Sequence, residues 1–246
     1  MGASEAMKRT ATDAGAQNGR NLTFTMLDRI GRAIVTGAYD DTVFPTEAFL
    51  ASEHGVSRSV VREAVKMLGA KGLLTARPRK GTTVQPARYW NLFDPDVLRW
   101  LLERKFSVEL LRHFTELRVA IEPAAAALAA RTHDGDGLRL IEAGYARMVA
   151  AEDGDDDTLD ADIAFHVAIL EACGNPFYRQ FRDLVETALR TSIRFTNRFV
   201  GRTADLEQHH AVLEAIARRD GDAAQAAMAA LIVDVQDLIA SAEKGA

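Results

Sequence analysis

Apolar residues recur along most of this chain at the spacing of one helix face, and they change to a two-residue alternation in a single stretch. Leu27, Ile30, Ile34 and Val35 mark a first helix of about four turns, ended by Gly37. Pro45 and Thr46 then open a short helix with Glu47 in its first turn and Phe49 and Leu50 facing inward, and Gly55 supplies a turn. Ser57 caps the next helix. Its buried stripe is Val60, Val61, Ala64, Val65 and Leu68, which leaves Arg58, Ser59, Arg62 and Lys66 on the open face. After Gly72 the runs Leu73 to Arg77 and Thr82 to Gln85 are β-prone and flank the turn Pro78-Arg79-Lys80-Gly81, so a hairpin with a cationic tip is predicted.

From Asp96 onward the spacing is helical throughout. Val97, Leu98, Leu101 and Leu102 start the series, and Val108 to Ala130 is a long alanine-rich run. Leu138 to Ala150, Leu159 to Ala172, Phe177 to Phe199, Leu206 to Arg218 and Ala223 to Ala242 follow. Pro123 removes a backbone donor inside this pattern and predicts a kink or a restart. The Gly-Asp pairs around 134–137 and the acidic stretch Glu152 to Asp157 lack the twelve-residue ligand spacing of a calcium loop and read as solvated turns. The fold class expected is mainly α: an N-terminal winged helix-turn-helix domain and a C-terminal all-α bundle. The expected boundaries are a polar tail at 1–21, the winged domain at 22–86, a linker and first bundle helix at 87–105, and the remaining bundle at 106–243.

Charge divides the chain in the same place. The formal net charge is −5, yet residues 22–88 carry ten Lys or Arg against six Asp or Glu, and residues 89–246 carry 17 against 27. A basic N-terminal third on an acidic body is where phosphate contacts are expected. Two short helices joined by a Gly turn, with arginines opening the second and a cationic hairpin behind it, form the arrangement that reads a DNA major groove. Arg58 and Arg62 lie one turn apart and suit guanine O6 and N7, whereas Ser57, Ser59, Lys66, Arg79 and Lys80, with Gly81 at the wing tip, suit phosphates. The one cysteine, Cys173, excludes an intrachain disulfide and any thiolate-cluster metal site. With no run of eighteen apolar residues and no leader pattern, a cytoplasmic protein with no membrane partner is expected.

These residues resemble the GntR family of bacterial regulators. The stretch "FPTEAFLASEHGVSRSVVREAVKMLGAKGLL" followed by "RKGTTV" is similar to the family's Pro-Ser-Glu start, Val-Ser-Arg-x-x-Val-Arg-Glu-Ala recognition helix and Gly-x-Gly-Thr wing. Two departures stand out: Ala48 occupies a position where many members carry a DNA-contacting Arg, and Arg79 replaces the first wing glycine.

The helical part carries its own chemistry. Arg118 and Glu122 are i,i+4 partners, as are Asp162 and His166, and His209 and His210 open the penultimate helix. An acid and an imidazole one turn apart, joined by an imidazole from another helix, suit a divalent cation such as zinc, manganese or nickel. The spacing equally allows a core histidine bonded to Asp162, with His209 as a cap or surface residue. The stretches "ELRVAIEPAAAALAA", "DADIAFHVAILEACGNP" and "HHAVLEAIARRDGDAAQAAM" resemble the FCD domain of FadR-type GntR regulators. That resemblance implies Asp162, His166 and His209 as metal ligands and Arg118 as partner of an effector carboxylate, with Glu122 beside it. A further His usual on the last helix is here Leu231. The linker residues Trp90, Asn91, Asp94, Asp96, Val97, Leu98 and Trp100 are similar to those of galactonate-operon repressors and other sugar-acid regulators. A sugar acid would also find polar partners at Arg194, Asn197 and Arg198.

The expectation is therefore a homodimeric DNA-binding regulator, and no enzyme. It would repress a sugar-acid operon and bind double-stranded operator DNA and a small hydroxy or sugar acid such as galactonate near a divalent metal. The alternatives are a metal-dependent hydrolytic enzyme using Asp162, His166 and His209, and a metal-free regulator sensing an acyl ligand.

Overall fold

The computed structural model describes residues 21–77, 81–104, 107–199 and 205–244, with 192–199, 235 and 237–244 described by backbone course alone. The 1–20 part of the expected tail, and the wing residues Arg79 and Lys80, lie outside the described residues. The chain divides into two compact units, 1–105 and 106–246.

In the first unit α1 (21–35) is followed by α2 (Glu47–His54), α3 (Arg58–Ala70) and a hairpin of β1 (Leu74–Arg77) and β2 (Gly81–Val84). Each helix starts where side-chain chemistry permits. Thr46 Oγ1 accepts from the Phe49 amide at 3.2 Å and Ser57 Oγ from the Val60 amide at 3.4 Å. Between them Gly55 adopts φ 63°, the left-handed turn that separates two helices this closely. The hairpin is antiparallel with Leu74 opposite Val84 and Arg77 opposite Gly81. Met26, Ile30, Ile34, Leu50, Val61, Leu68 and Leu73 are buried in this unit.

Residues 95–101 correct one expectation. The helix α4 (Pro95–Leu101) is not the first bundle helix but belongs to the first unit. The Trp100 ring lies over Gly31 of α1 so closely that a Cβ there would stand 2.2 Å from it. Trp100 Nε1 donates to Asp28 Oδ1 at 2.8 Å and Arg99 donates to the same oxygen at 2.7 Å. At the other end Lys71, just past α3, donates to both Asp94 oxygens at 2.8 Å and pairs with Asp96 at 2.8 Å. Periodicity reports that a helix has a buried face, but not which element covers it.

The second unit is entirely helical among the described residues: α5 (Val108–Thr132), α6 (Gly135–Glu152), α7 (Thr158–Ala172), α8 (Pro176–Arg179), α9 (Arg182–Phe199), α10 (Leu206–Ala217) and α11 (Gly221–Lys244). The alanine face of α5 packs along α11, and α6 lies against α7. Gly144 of α6 makes the second pairing possible, because a Cβ there would sit 2.8 Å from the Phe165 backbone. α5 continues through Pro123 without restarting; Pro123 is buried, with Ile121 and Glu122 buried before it and Ala125, Ala126 and Ala127 after it. The predicted helix Phe177 to Phe199 is instead two, because i→i+3 bonds from Gln180 to Phe177 and from Phe181 to Tyr178 tighten the turn between them. α7 is buried nearly all round, with Ala161, Ile163, Phe165, Ala168, Ile169 and Leu170 all in the core. Two ionisable side chains, Asp162 and His166, are carried into that core.

Candidate functional sites

On the first unit the open face of α3 carries Arg58, Ser59, Arg62 and Lys66, all exposed. Ser57 serves first as the helix cap, and its hydroxyl also meets that of Ser59 at 2.8 Å. Arg62 is not free: its Nε donates to Glu47 Oε2 at 3.2 Å, so a residue of α2 that spacing alone did not single out holds a side chain of the recognition helix. Gly81 opens β2 at φ 77° with its Cα facing open space, a backbone state that favours glycine over other residues.

On the second unit α5, α7 and α10 bring five polar groups together. Arg118, Glu122, Asp162, His166 and His209 are each at most 6% exposed. Donor atoms of Asp162, His166 and His209 lie within 4.8 Å of one another. The Nε2 of His209 is 2.9 Å from Asp162 Oδ1 and that of His166 is 3.7 Å from it. The geometry makes no well-aligned hydrogen bond among them, and Asp162 Oδ1, His166 Nε2 and His209 Nε2 are all buried without such a partner. Three buried donor atoms that converge without aligned hydrogen bonds among them fit a cation.

The outer nitrogens explain the orientation. His209 Nδ1 meets the Asp205 carbonyl oxygen at 2.6 Å, and His166 Nδ1 makes a very short contact with Glu122 Oε2. An acceptor-only partner at Nδ1 places the proton there and leaves Nε2 bare for the cluster. Phe165 meets both rings edge-on, with centroids 5.8 Å from His166 and 5.2 Å from His209. His210 faces outward instead and rests on Tyr145. Asp205 is a contributor that spacing did not mark as part of the site. Its signal was present, since Asp205 with Gln208 three residues on is a capping pattern that fixes where α10 begins.

Electrostatics keep the acids ionised. Burial works against charge on Glu122, but the Arg118 charge first, then that of His166 and the hydrogen bonds of both, hold its carboxyl at about 2. Burial likewise opposes charge on Asp162 and is outweighed by His209, His166 and Arg118, so its carboxyl also lies below the usual range. Arg118 Nε donates to Glu122 Oε1, and both Glu122 oxygens are thereby engaged. Leu231 is buried in the surrounding apolar cluster with Ile121, Ile163 and Val212. The side chains of Arg194, Asn197 and Arg198, on α9, lie outside the described residues.

A winged helix-turn-helix followed by an all-helical unit defines the class of transcriptional regulators. The chain matches bacterial regulatory proteins of the gntR family over residues 26–84 and the FCD domain over residues 113–234. It is 34% identical over 229 residues to the HTH-type transcriptional regulator YieP of Escherichia coli (strain K12), covering 92% of this chain and 98% of that one. It is 33% identical over 220 residues to the galactonate operon transcriptional repressor of the same organism, covering 86% of this chain and 95% of that one. A solved structure described as E. coli McbR/YncC shares the fold at 17% identity and TM-score 0.51, over 90% of this chain and 98% of that one. The protein belongs to the GntR family, in its FCD-domain group, and is a transcriptional regulator rather than an enzyme. Among the described residues no helix is long and apolar enough to cross a membrane.

Proposed function

We propose that this regulator binds operator DNA as a homodimer and represses a sugar-acid operon. In this reading its helical unit takes up a divalent cation at Asp162, His166 and His209 together with a small hydroxy acid whose carboxylate meets Arg118. The observation that carries it is the set of three buried, unpartnered donor atoms beside a buried guanidinium. Metal ligation needs neutral imidazoles and an ionised carboxylate. In the metal-bound state, where ligation requires both histidines neutral, Arg118 offsets Glu122 and a divalent ion outweighs the single charge of Asp162; a monocarboxylate then neutralises the remainder. Cation and acid are thus expected to bind in favour of each other. The bound cation would supply an oxygen-seeking centre, and the hydroxyl next to a sugar-acid carboxylate would add a second donor. Zinc, manganese and nickel all accept this donor set. The similarity to a galactonate operon repressor supports the sugar-acid class. Leu231, in place of a further histidine, leaves positions open for the acid's own oxygens.

On the DNA side Arg58 and Arg62 are the base-reading pair, and Ser57, Ser59, Lys66, Arg79, Lys80 and Gly81 hold the backbone. One recognition helix per half-site calls for a two-fold dimer on a pseudo-palindrome. Release from the operator requires the acid to favour the DNA-incompetent arrangement; a hundredfold change in operator affinity corresponds to about 2.7 kcal/mol of differential binding. The test is a thermal-shift panel of sugar and hydroxy acids with and without chelator, followed by operator binding with each stabilising acid. Stabilisation by galactonate or a related acid that chelator abolishes supports the reading; stabilisation indifferent to chelator removes the cation from it.

A further inference from the structure

The spacing of Arg118 and Glu122 suggests two residues facing one effector, but the geometry separates them. Glu122 is 1% exposed, ionised, and spends one oxygen on Arg118 and the other on His166. A carboxylate so placed has no proton to offer an incoming acid and carries the same charge. What it does provide is a side-chain carboxylate at the Nδ1 of His166, whereas His209 leans on the neutral Asp205 carbonyl.

We propose that Glu122 is a positioning residue, which holds the His166 ring with its proton on Nδ1 and its Nε2 lone pair directed at Asp162 and His209, while Arg118 fixes the carboxylate in place for that task. The inference rests on the cation site proposed above. The two histidines are then held differently, His166 by a side-chain carboxylate and His209 by a backbone carbonyl, so a change at Glu122 acts on one ring only. The arrangement is also self-consistent across three turns of two helices. Glu122 lies one turn beyond Arg118 on α5, and His166 one turn beyond Asp162 on α7, so the two i,i+4 pairs meet at the Glu122–His166 contact. Without the tether His166 could carry its proton on Nε2 and satisfy that nitrogen against Asp162, which would turn the cluster into an ordinary buried hydrogen bond.

The experiment uses the full-length protein, labelled with nitrogen-15 at histidine, as wild type, E122Q and E122L. Long-range proton–nitrogen correlation on the metal-free protein reads which ring nitrogen carries the proton, and competition with a chromophoric chelator reads the affinity for Ni2+ alone. The expected result is Nδ1 protonation of His166 in wild type, lost in E122L while His209 is unchanged, with Ni2+ binding weaker by roughly 10- to 100-fold. E122Q, whose amide oxygen still accepts from Nδ1, is expected to keep the tautomer and bind Ni2+ with intermediate affinity. An unchanged tautomer and unchanged Ni2+ affinity in E122L overturn the proposal. If E122L does not fold, E122Q decides: several-fold weaker Ni2+ binding supports the tether and equal binding overturns it. Wild type that binds no Ni2+ but shows the tautomer change would sink the cation site and leave the tether standing.

Discussion

Glu47, in the first turn of α2, reaches across the helix-turn-helix to the Nε of Arg62 at 3.2 Å. The pair is solvent-facing, with the Arg62 side chain 70% exposed, so its contribution to stability is small. Its consequence lies in recognition. A guanidinium held by Nε presents its two terminal nitrogens as a fork, the geometry that a guanine edge requires. Replacing Glu47 by Gln is expected to lower the ratio of operator to random-sequence affinity by roughly tenfold, about 1.4 kcal/mol, while affinity for random DNA rises slightly through the lost negative charge. Arg62→Ala should reduce the same ratio further and leave effector binding intact. Titrations of operator and random duplexes at two salt concentrations check both; an unaltered ratio in Arg62→Ala would remove α3 as the reading helix.

The contact between Gly31 and Trp100 makes a second prediction, about stability. A Cβ at position 31 would overlap the indole at 2.2 Å, so Gly31→Ala must displace Trp100 and is expected to cost about 1–3 kcal/mol. Trp100→Ala, which empties a fully buried site, is expected to cost about 3–5 kcal/mol. Both changes should lower the melting transition that reports the DNA-binding unit. Calorimetry that finds only the helical unit destabilised would contradict the placement of α4 on α1.

That placement also marks where sequence stops being legible. Val97, Leu98 and Leu101 announce a buried face, and the series of helices that follows makes the bundle their natural destination. What reassigns them is a contact between Trp100 and Gly31, residues distant in sequence, and no local pattern encodes it. α3 was readable for the opposite reason: it is a surface helix with one apolar stripe, capped by Ser57, and its exposed arginines follow from the stripe. α7 is buried nearly all round, so periodicity could place Asp162 and His166 on one side of a helix but not say that the side was interior. The cluster itself was visible through Asp162, His166 and His209. Glu122 was marked only as the partner of Arg118 and Asp205 not at all, because orienting an imidazole requires only an acceptor in the right place, which a backbone carbonyl supplies as readily as a side chain.

The Asp28 carboxyl gives a pH dependence with a defined sign. Partial burial works against its charge, but the Trp100 hydrogen bond, then the charges of Arg32 and Arg99, outweigh it and hold the group below the usual carboxylate range. A folded-state value below the unfolded one, about 3.9, means that the stabilisation is fully present above pH 4 and fades as pH falls through the folded value. Asp28→Asn should therefore lower the melting temperature of the DNA-binding unit at pH 6, with the difference from wild type shrinking below pH 4. A difference that stays constant from pH 6 to pH 3 would mean that Asp28 acts through packing and not through its charge.

The buried cluster separates its two readings by what happens when it is damaged. If Asp162, His166 and His209 form a cation site, their unpartnered donor atoms are a cost in the metal-free protein, and a divalent ion at a hundred times its dissociation constant stabilises the helical unit by about 2.7 kcal/mol. Asp162→Asn keeps the shape and removes the charge. It should abolish the rise produced by Zn2+ or Ni2+, on top of whatever stability the charge itself gives in chelator. If Asp162 instead serves as a structural partner for a core histidine, the same substitution breaks a buried charged hydrogen bond and lowers stability in chelator, with no metal-dependent rise in either protein. Thermal unfolding of the two proteins with chelator and with added metal distinguishes these outcomes. The convergence of three buried donor atoms from two helices, with Asp162 Oδ1 2.9 Å from His209 Nε2, is the reason to expect the first.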